Sequence, residues 1–203
     1  MSYFPMFVEL RGKSCLIIGG GRIALQKMRV LQDFGAEVTV LAPELAEEIV
    51  KNCKVRKKEF EETDLEGAKL VVAATDNQEL NHRIAECCRT RGIPYNAVDQ
   101  IDDCSFIFPS YVKEGEVVAA FSSGGQSPLI TQYLKEKIKP DLTEQLGTLA
   151  ACLGGLRAEV KRTVATEAER KSCYREILEA GLRQDKVPEP EEIRAILAKY
   201  QKS

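Results

Sequence analysis

Residues 15–31 read CLIIGGGRIALQKMRVL, and this stretch decides the fold. Apolar residues run into three consecutive glycines, and an amphipathic pattern starts directly behind them. The apolar run predicts a short buried strand, and the spacing that follows predicts a helix. Gly35 is a typical stop signal for that helix. We therefore expect a strand at residues 14–18, a tight glycine turn, and a helix at residues 22–34.

The same alternation continues through the first half of the chain. Further apolar runs predict strands, and amphipathic segments between them predict helices. The predicted strands are residues 36–42, 55–60, 69–75 and 93–98, the second of them polar enough for a sheet edge, and the predicted helices are residues 43–52 and 77–92. Strands that alternate with helices are typical of a parallel sheet covered on both faces. The predicted fold class is α/β, with a Rossmann-type parallel sheet in a first domain at residues 1–112.

The alternation of predicted strands and helices ends in the second half of the chain. VVAAF at residues 117–121 predicts a strand, and the polar turn SSGGQSP follows it. Pro128 stands where a proline suits the first turn of a helix. We read residues 113–140 as a strand-turn-helix segment. Residues 141–203 read as a helical domain whose last helix covers residues 190–200.

Composition and charge narrow the classes of function. The chain of 203 residues carries a formal net charge of −2, which gives no reason to expect a nucleic-acid partner. No apolar run approaches the roughly 18 residues of a membrane span, and the N-terminus lacks the basic and apolar regions of a secretory signal. We expect a cytoplasmic protein whose seven cysteines are reduced, mostly structural thiols. One histidine and scattered cysteines predict no metal site.

The glycine turn fits the dinucleotide fingerprint G-x-G-x-x-A. Gly19 permits the tight turn, Gly21 lets a pyrophosphate approach the backbone, and Ala24 lets the helix pack closely on the strand. The helix N-terminus then faces the phosphates. The alternative is a tight corner that binds nothing, but the position between the first strand and the first helix favours a cofactor site.

Two loops would complete a cofactor crevice at the carboxyl ends of the strands. An NAD-preferring domain carries an acidic residue about 20 positions after the glycines, and Glu44 lies slightly beyond that place, behind Pro43. No Arg or Lys stands there for the additional phosphate of NADP, so NAD is favoured. Thr75 and Asp76 follow the third strong apolar run and should line the crevice. The alternative is that Asp76 or Asn77 only caps the next helix.

Three stretches taken together resemble one family. They are FPMFVELRGKSCLIIGGGRIALQK at residues 4–27, AATDNQELNHRI with YNAVDQIDDCSFIFPS at residues 73–84 and 95–110, and VVAAFSSGGQSPLITQYLKEKI at residues 117–138. In order and spacing they are similar to the precorrin-2 dehydrogenases, which include the amino-terminal part of bacterial siroheme synthase and the yeast bifunctional dehydrogenase-ferrochelatase. The resemblance is densest over residues 4–139, and the remaining residues match only in being helical.

The resemblance implies an activity and an assembly. The family oxidises precorrin-2 to sirohydrochlorin with NAD, and some members also insert ferrous iron. A homodimer is implied, in which residues 113–140 form the dimerisation segment. The implied cofactor contacts are Gly21, Arg22, Ile23, Pro43 and Glu44. A methyltransferase module of the fused siroheme synthases is not expected here, so the chain should not make precorrin-2 itself.

Asp99 is the candidate catalytic residue. The resemblance matches it to the family's functionally central aspartate, within Asn-Ala-Val-Asp at residues 96–99. It also directly follows a predicted strand, where a carboxylate in a partly dry cleft can accept a proton. The alternative is a loop residue that caps the local turn. We expect Asp102 and Asp103 to be solvated loop residues or caps, and His82 to be a surface or structural residue.

The turn SSGGQSP is the candidate substrate site. It opens a helix, and the exposed N–H groups of such a turn can hold a carboxylate of a polyanionic substrate. The residues concerned are Ser123, Gly124, Gly125 and Ser127. A flexible turn at the dimer interface is the alternative. Two other functions stay open: a sirohydrochlorin chelatase with a vestigial NAD site, and a dinucleotide-sensing module without catalysis.

Overall fold

The computed structural model describes residues 3–98 and 100–201. The chain divides into two compact units, Met1–Phe108 and Pro109–Ser203. The division falls before the strand Ser110–Glu114, which crosses the predicted boundary at residue 112 and pairs with a strand of the second unit.

The first unit contains a five-stranded parallel sheet with the order β3-β2-β1-β4-β5. Its strands are β1 (Ser14–Ile18), β2 (Glu37–Leu41), β3 (Lys54–Arg56), β4 (Leu70–Ala73) and β5 (Tyr95–Ala97). Its helices are α1 (Arg22–Asp33), α2 (Glu47–Asn52) and α3 (Gln78–Thr90). The predicted α/β fold class is therefore confirmed.

The sheet is buried on both faces because successive side chains of a strand point to opposite sides. Cys15 and Ile17 pack in one apolar cluster with Met28 of α1. Leu16 joins the other cluster with Ile84 of α3. This burial on both faces explains why β1 reads as a continuous apolar run instead of an alternating one.

Two predicted elements are shorter than their patterns suggested. The helix expected at residues 43–52 begins only at Glu47, because the loop before it holds the glycine turn: the Ala46 N–H donates to the Gly20 carbonyl over 2.9 Å. The strand expected at residues 55–60 ends at Arg56, although its place at a sheet edge is confirmed.

The second unit begins with an antiparallel pair of strands, β6 (Ser110–Glu114) and β7 (Val117–Phe121). Five helices follow: α4 (Pro128–Ile138), α5 (Glu144–Gly155), α6 (Arg157–Thr163), α7 (Glu167–Gln184) and α8 (Pro190–Tyr200). The predicted strand at residues 117–121 and helix at residues 190–200 are confirmed. No helix among residues 3–98 and 100–201 combines the length and hydropathy needed to cross a membrane.

Candidate functional site

A cleft of about 960 Å³ opens at the carboxyl ends of β1, β2 and β4. The chain leaves β1 toward β2 and β3 on one side, whereas β4 and β5 lie on the other side. Such a switch point is where doubly wound sheets bind ligands. The cleft is lined by the glycine turn, by the loops after β2 and β4, by Glu59 and Phe60, and by Glu79, Leu80 and Arg83 of α3.

The three glycines of the turn differ in what a side chain at each position would meet. Gly19 has a φ of +120°, which confirms the predicted tight turn, and a Cβ there would overlap the Ala74 carbonyl oxygen. A Cβ on Gly20 would overlap the Glu44 carbonyl oxygen. At Gly21 a Cβ would meet no atom within 4 Å in the part of the chain that the structure describes. The fingerprint leaves Gly20 unspecified, yet the backbone packs against it tightly.

Among residues 3–98 and 100–201, no side chain caps the N–H groups at the N-terminus of α1. Gly21 is the N-cap and offers no side-chain acceptor, and no acidic residue stands in the first turn. Unpaired N–H groups and the helix dipole favour an anion at this position. Arg22 is exposed and Ile23 half-buried, whereas Ala24 is fully buried against the strand side, as its role in the fingerprint requires.

The loop after β2 carries a single acidic side chain into the cleft. The strand ends at Leu41, and the next residues are the buried Ala42 and then Pro43 and Glu44, both exposed at the cleft. Glu59, which follows β3, adds a second carboxylate that the sequence patterns did not indicate. Its position is set by the pairing of β3 with β2, a contact that is not local in sequence.

The loop after β4 is held in place by a buried amide. Thr75 donates its hydroxyl to Asn81 Oδ1 over 2.7 Å, and Asn81 Nδ2 donates to the Thr75 carbonyl over 2.9 Å. Asn77 caps α3 by accepting from the Leu80 N–H, so the expected cap is Asn77 and not Asp76. Asp76 and Thr75 both line the cleft. Asn81 was not predicted to be a functional residue, although a polar side chain on the buried face of an amphipathic helix can be recognised from the sequence.

Asp99, the candidate catalytic residue, lies outside the described residues. Hydrogen bonds join the residues that precede this position in sequence to those that follow it. The Ser105 N–H donates to the Tyr95 carbonyl over 2.9 Å, and Asn96 Nδ2 donates to the Phe106 carbonyl over 3.0 Å. Residues 104–106 therefore run back along β5.

Asp103 was expected to be a solvated loop residue or a cap, and the structure instead pairs its side chain with two basic residues of α3. Its side chain is only 15% exposed, and it contacts His82 Nδ1 over 2.6 Å. The second Asp103 oxygen lies 3.6 Å from the Arg89 guanidinium. The hydrogen bond and the negative charge of Asp103 raise the pKa of His82 above its usual range. Because the two residues are 21 positions apart, no local pattern shows the pair.

The cysteines give no sign of redox or nucleophilic chemistry. All seven are free thiols, as expected. Burial raises the pKa of Cys15 to about 11 and that of Cys88 to about 12, so both stay protonated at neutral pH. Among residues 3–98 and 100–201, no group of three or more His, Cys, Asp or Glu side chains is placed to hold a metal ion.

The candidate substrate turn of the second unit is built by its own serines. Ser127 caps α4 by accepting from the Ile130 N–H, and Ser123 Oγ accepts from the Ser127 N–H over 2.9 Å. Gly124 and Gly125 have φ values of +62° and +85°. The Ser127 N–H, one of the groups that we expected to bind a substrate carboxylate, thus donates within the turn.

Comparison with known proteins agrees with this geometry. A family model described as "Putative NAD(P)-binding" matches residues 6–110, about half of the chain. The chain belongs to this NAD(P)-binding family. The matched region contains the whole parallel sheet and every residue that lines the cleft.

Similarity extends beyond the NAD(P)-binding region. The chain is 39% identical to siroheme synthase of Methylococcus capsulatus over 184 residues, which is 88% of this chain and 39% of that protein. It is 36% identical over 185 residues to siroheme synthase of Thioalkalivibrio sulfidiphilus, 88% of this chain and 38% of the relative. The chain thus spans about two fifths of these relatives. The structure of SirC, a precorrin-2 dehydrogenase, shares the fold with a TM-score of 0.70 at 24% identity, over 98% of both chains.

Proposed function

We propose that the chain is an NAD-dependent dehydrogenase that oxidises precorrin-2 to sirohydrochlorin. The observation that carries the proposal is the extent of the similarity to siroheme synthases, which covers 88% of the chain at 36–39% identity. A generic dinucleotide domain would share only the region of the NAD(P)-binding model, residues 6–110. The full-length correspondence with the SirC fold supports the same reading.

The residues of the cleft fit a dinucleotide. Open space above Gly21 gives a pyrophosphate access to the backbone, and the N–H groups of α1 there have no side-chain cap. Gly19, Arg22, Ile23 and Ala24 complete the turn and the first helical residues that we assign to cofactor binding. Bound NAD would supply the hydride acceptor for the reaction.

The charge of the cleft favours NAD over NADP. Four carboxylates line it, whereas Arg83 is the one Lys or Arg among the described lining residues, and it lies 3.5 Å from Glu62. The carboxylates are Glu44, Glu59, Asp76 and Glu79. An additional phosphate in this surrounding would meet like charges. We assign Glu44, beside Pro43, to the adenosine ribose.

Asp99 is proposed as the proton acceptor during dehydrogenation. The reaction removes a proton as well as a hydride from the tetrapyrrole, and a carboxylate near the ring can take the proton. The main task of the other residues is to place the macrocycle, because correct placement alone contributes much of the rate. Thr75 and Asp76 are proposed to face the cofactor from the loop that Asn81 fixes.

The second unit is proposed to hold substrate and to form a homodimer. Helix α4 buries none of its residues, and Leu129, Ile130 and Tyr133 are 82%, 57% and 63% exposed. A two-stranded sheet with such a helix is marginal without further cover, which supports residues 113–140 as the dimerisation segment beside a helical domain at residues 141–203. Ser123, Gly124, Gly125 and Ser127 are proposed to hold substrate carboxylates. We place the protein in the cytoplasm, with neither a membrane nor a nucleic acid as partner.

The assay follows precorrin-2 oxidation directly. The protein is incubated with precorrin-2 and NAD, and NADH formation is recorded together with the sirohydrochlorin spectrum. We expect equal amounts of both products, and a large loss of kcat for Asp99→Asn with an unchanged Kd for NAD. Absence of turnover by the wild-type protein would refute the function, and full activity of Asp99→Asn would refute the role of Asp99.

A separate assay addresses metal insertion. The similarity to proteins named for siroheme synthesis makes iron insertion into sirohydrochlorin the second candidate activity. Ferrous or cobaltous ion is added to sirohydrochlorin with and without the protein. Faster loss of the metal-free spectrum with the protein than without it would establish chelation, and equal rates would exclude it.

A further inference from the structure

The segment that follows β5 is fixed at its base by hydrogen bonds. Tyr95 and Ser105 exchange two of them: the Tyr95 N–H donates to Ser105 Oγ over 2.7 Å, and the Ser105 N–H donates to the Tyr95 carbonyl over 2.9 Å. Cys104 donates its thiol to the Ala97 carbonyl over 3.2 Å. Asp99, which lies outside the described residues, stands in sequence between these hydrogen-bonded positions.

Three side-chain contacts attach the same segment to α3. Gln100 Nε2 lies 3.4 Å from the Gln78 carbonyl at the start of the helix. One turn further along, His82 Nδ1 contacts Asp103 Oδ2 over 2.6 Å. The third contact joins Asp103 Oδ1 to the Arg89 guanidinium over 3.6 Å, and the His82 contact is the shortest of the three. Asp103 is the last residue of the 3₁₀ turn Ile101–Asp103.

The charges around His82 favour its protonated form. Asp103 faces it from the 3₁₀ turn, and Glu86 and Arg89 face it from α3. Arg89 lies 3.6 Å from the other Asp103 oxygen, its Nε donates to the Tyr95 hydroxyl over 3.0 Å, and its guanidinium also pairs with Glu86. The Asp103 bond and charge outweigh the opposing charge of Arg89 and raise the pKa of His82.

We propose that His82 is a positioning residue: through Asp103 it holds the 3₁₀ turn Ile101–Asp103 against α3, and because this turn begins two positions after the proposed proton acceptor Asp99 in sequence, the rate of proton transfer depends on it. The proposal rests on the proposed dehydrogenase function. It does not make His82 a catalytic residue, since the imidazole acts on the segment and not on substrate. Because α3 also fixes Thr75 through Asn81, one helix would hold both the loop after β4 and the 3₁₀ turn Ile101–Asp103.

The expected pH dependence follows from the raised pKa of His82. A group whose pKa is raised in the folded protein stabilises its surroundings at low pH and loses this effect as pH rises through the folded pKa. Below that pKa, His82 and Asp103 form an ion pair. Above it, a neutral imidazole leaves only a weaker hydrogen bond. The segment should therefore be held more loosely on the alkaline side.

The titration of His82 can be read without any assignment, because the chain contains one histidine. In the tag-free, full-length protein, the imidazole signals are followed by NMR against pH. We expect a midpoint above the ordinary value of about 6.5, and a lower midpoint in Asp103→Asn. Equal midpoints in the two proteins would contradict the pairing. Asp102→Asn is the matched control and should leave the midpoint unchanged.

Two variants at position 82 separate titration from structure. Asparagine places an amide nitrogen close to where Nδ1 stands, so His82→Asn keeps a donor for Asp103 and removes the titration. His82→Ala removes both the donor and the titration.

We expect wild-type kcat to fall about threefold to tenfold as pH rises through the midpoint measured by NMR, since small misplacements of reacting groups are costly. His82→Asn should lack this decline, and His82→Ala should be slow throughout, with an unchanged Kd for NAD in both. A decline in His82→Asn like that of the wild type would overturn the proposal.

Failure of the dehydrogenase function has a different outcome. If the wild-type protein shows no turnover at any pH, the proposed function is refuted, and amide hydrogen exchange over residues 100–104 then decides whether His82 holds the segment. Faster exchange in His82→Ala than in the wild-type protein below the His82 midpoint supports the positioning role. Equal exchange in both proteins overturns it.

Discussion

Two glycine-rich turns of this chain each open a helix, and they are built in opposite ways. In the turn before α1, Gly19 and Gly20 lie against the backbone of two other loops, at Ala74 and Glu44. In the turn before α4, a Cβ on Gly124 would meet no protein atom within 4 Å, and Ser123 and Ser127 hold the turn by local bonds. The first turn therefore depends on the whole sheet, whereas the second depends on its own few residues.

Within the first turn, two glycines are needed for packing, whereas the third is available for binding. Gly19 and Gly20 are required by the protein itself, because any side chain there meets a backbone carbonyl that cannot move aside. None of the described residues crowds a Cβ on Gly21, so its lack of a side chain is of use to something that occupies the cleft. Substitutions at neighbouring positions should thus separate stability from cofactor affinity.

The largest effect is expected for Gly20→Ala. The new Cβ would overlap the Glu44 carbonyl oxygen and push the loop that precedes α2 away from the turn. Overpacking against backbone should lower the free energy of unfolding by about 3 kcal/mol or more. Urea denaturation followed by circular dichroism measures it. Gly124→Ala is the control in the other turn. There only the positive φ is strained, and we expect a loss of about 1 kcal/mol.

Gly21→Ala should change affinity and leave stability alone. Its φ of −89° and ψ of −167° suit any residue, and the added methyl group touches no atom of the described residues. We expect a free energy of unfolding within about 1 kcal/mol of the wild-type value, and a Kd for NAD raised at least about tenfold, which corresponds to about 1.4 kcal/mol. Calorimetric titration with NAD measures the second quantity. An unchanged Kd would show that the pyrophosphate does not lie on this turn.

Removing two carboxylates from the cleft should relax the choice of cofactor. In the double variant Glu44→Gln, Glu59→Gln, the repulsion that the additional phosphate of NADP would meet is reduced, because both side chains line the cleft. We expect the ratio of the Kd for NADP to the Kd for NAD to fall about tenfold at low salt, and less at high salt. Glu66→Gln, an exposed carboxylate outside the cleft lining, is the matched control. A ratio that stays constant in the double variant would contradict the role of these charges.

The smallest effect is expected in the second turn. Ser127→Ala removes the cap that accepts from the Ile130 N–H. Loss of a serine cap costs about 1 kcal/mol of stability, which chemical denaturation can measure, and the Kd for NAD should stay unchanged. A larger loss of stability than that of Gly20→Ala would mean that the second turn is also fixed by long-range packing.

The sequence predicted the features that depend on local patterns. The apolar runs and glycine stops located β1, β4, α1 and α3 to within a few residues, because burial on both faces leaves a continuous signal. The features that were missed depend on contacts between distant positions. Gly20 packs against the loop before α2, and His82 pairs with Asp103. Neither partner can be identified before the order of the strands is known.

The central claim is that the cleft above Gly21 binds NAD for the oxidation of precorrin-2. It is tested most directly by assaying the wild-type protein and Gly21→Ala side by side at equal folded concentration, checked by circular dichroism. We predict that the wild-type protein converts precorrin-2 and NAD into sirohydrochlorin and NADH in equal amounts, and that Gly21→Ala at the same NAD concentration is strongly impaired. Absence of NADH formation by the wild-type protein, or equal rates for both proteins at subsaturating NAD, would contradict the account.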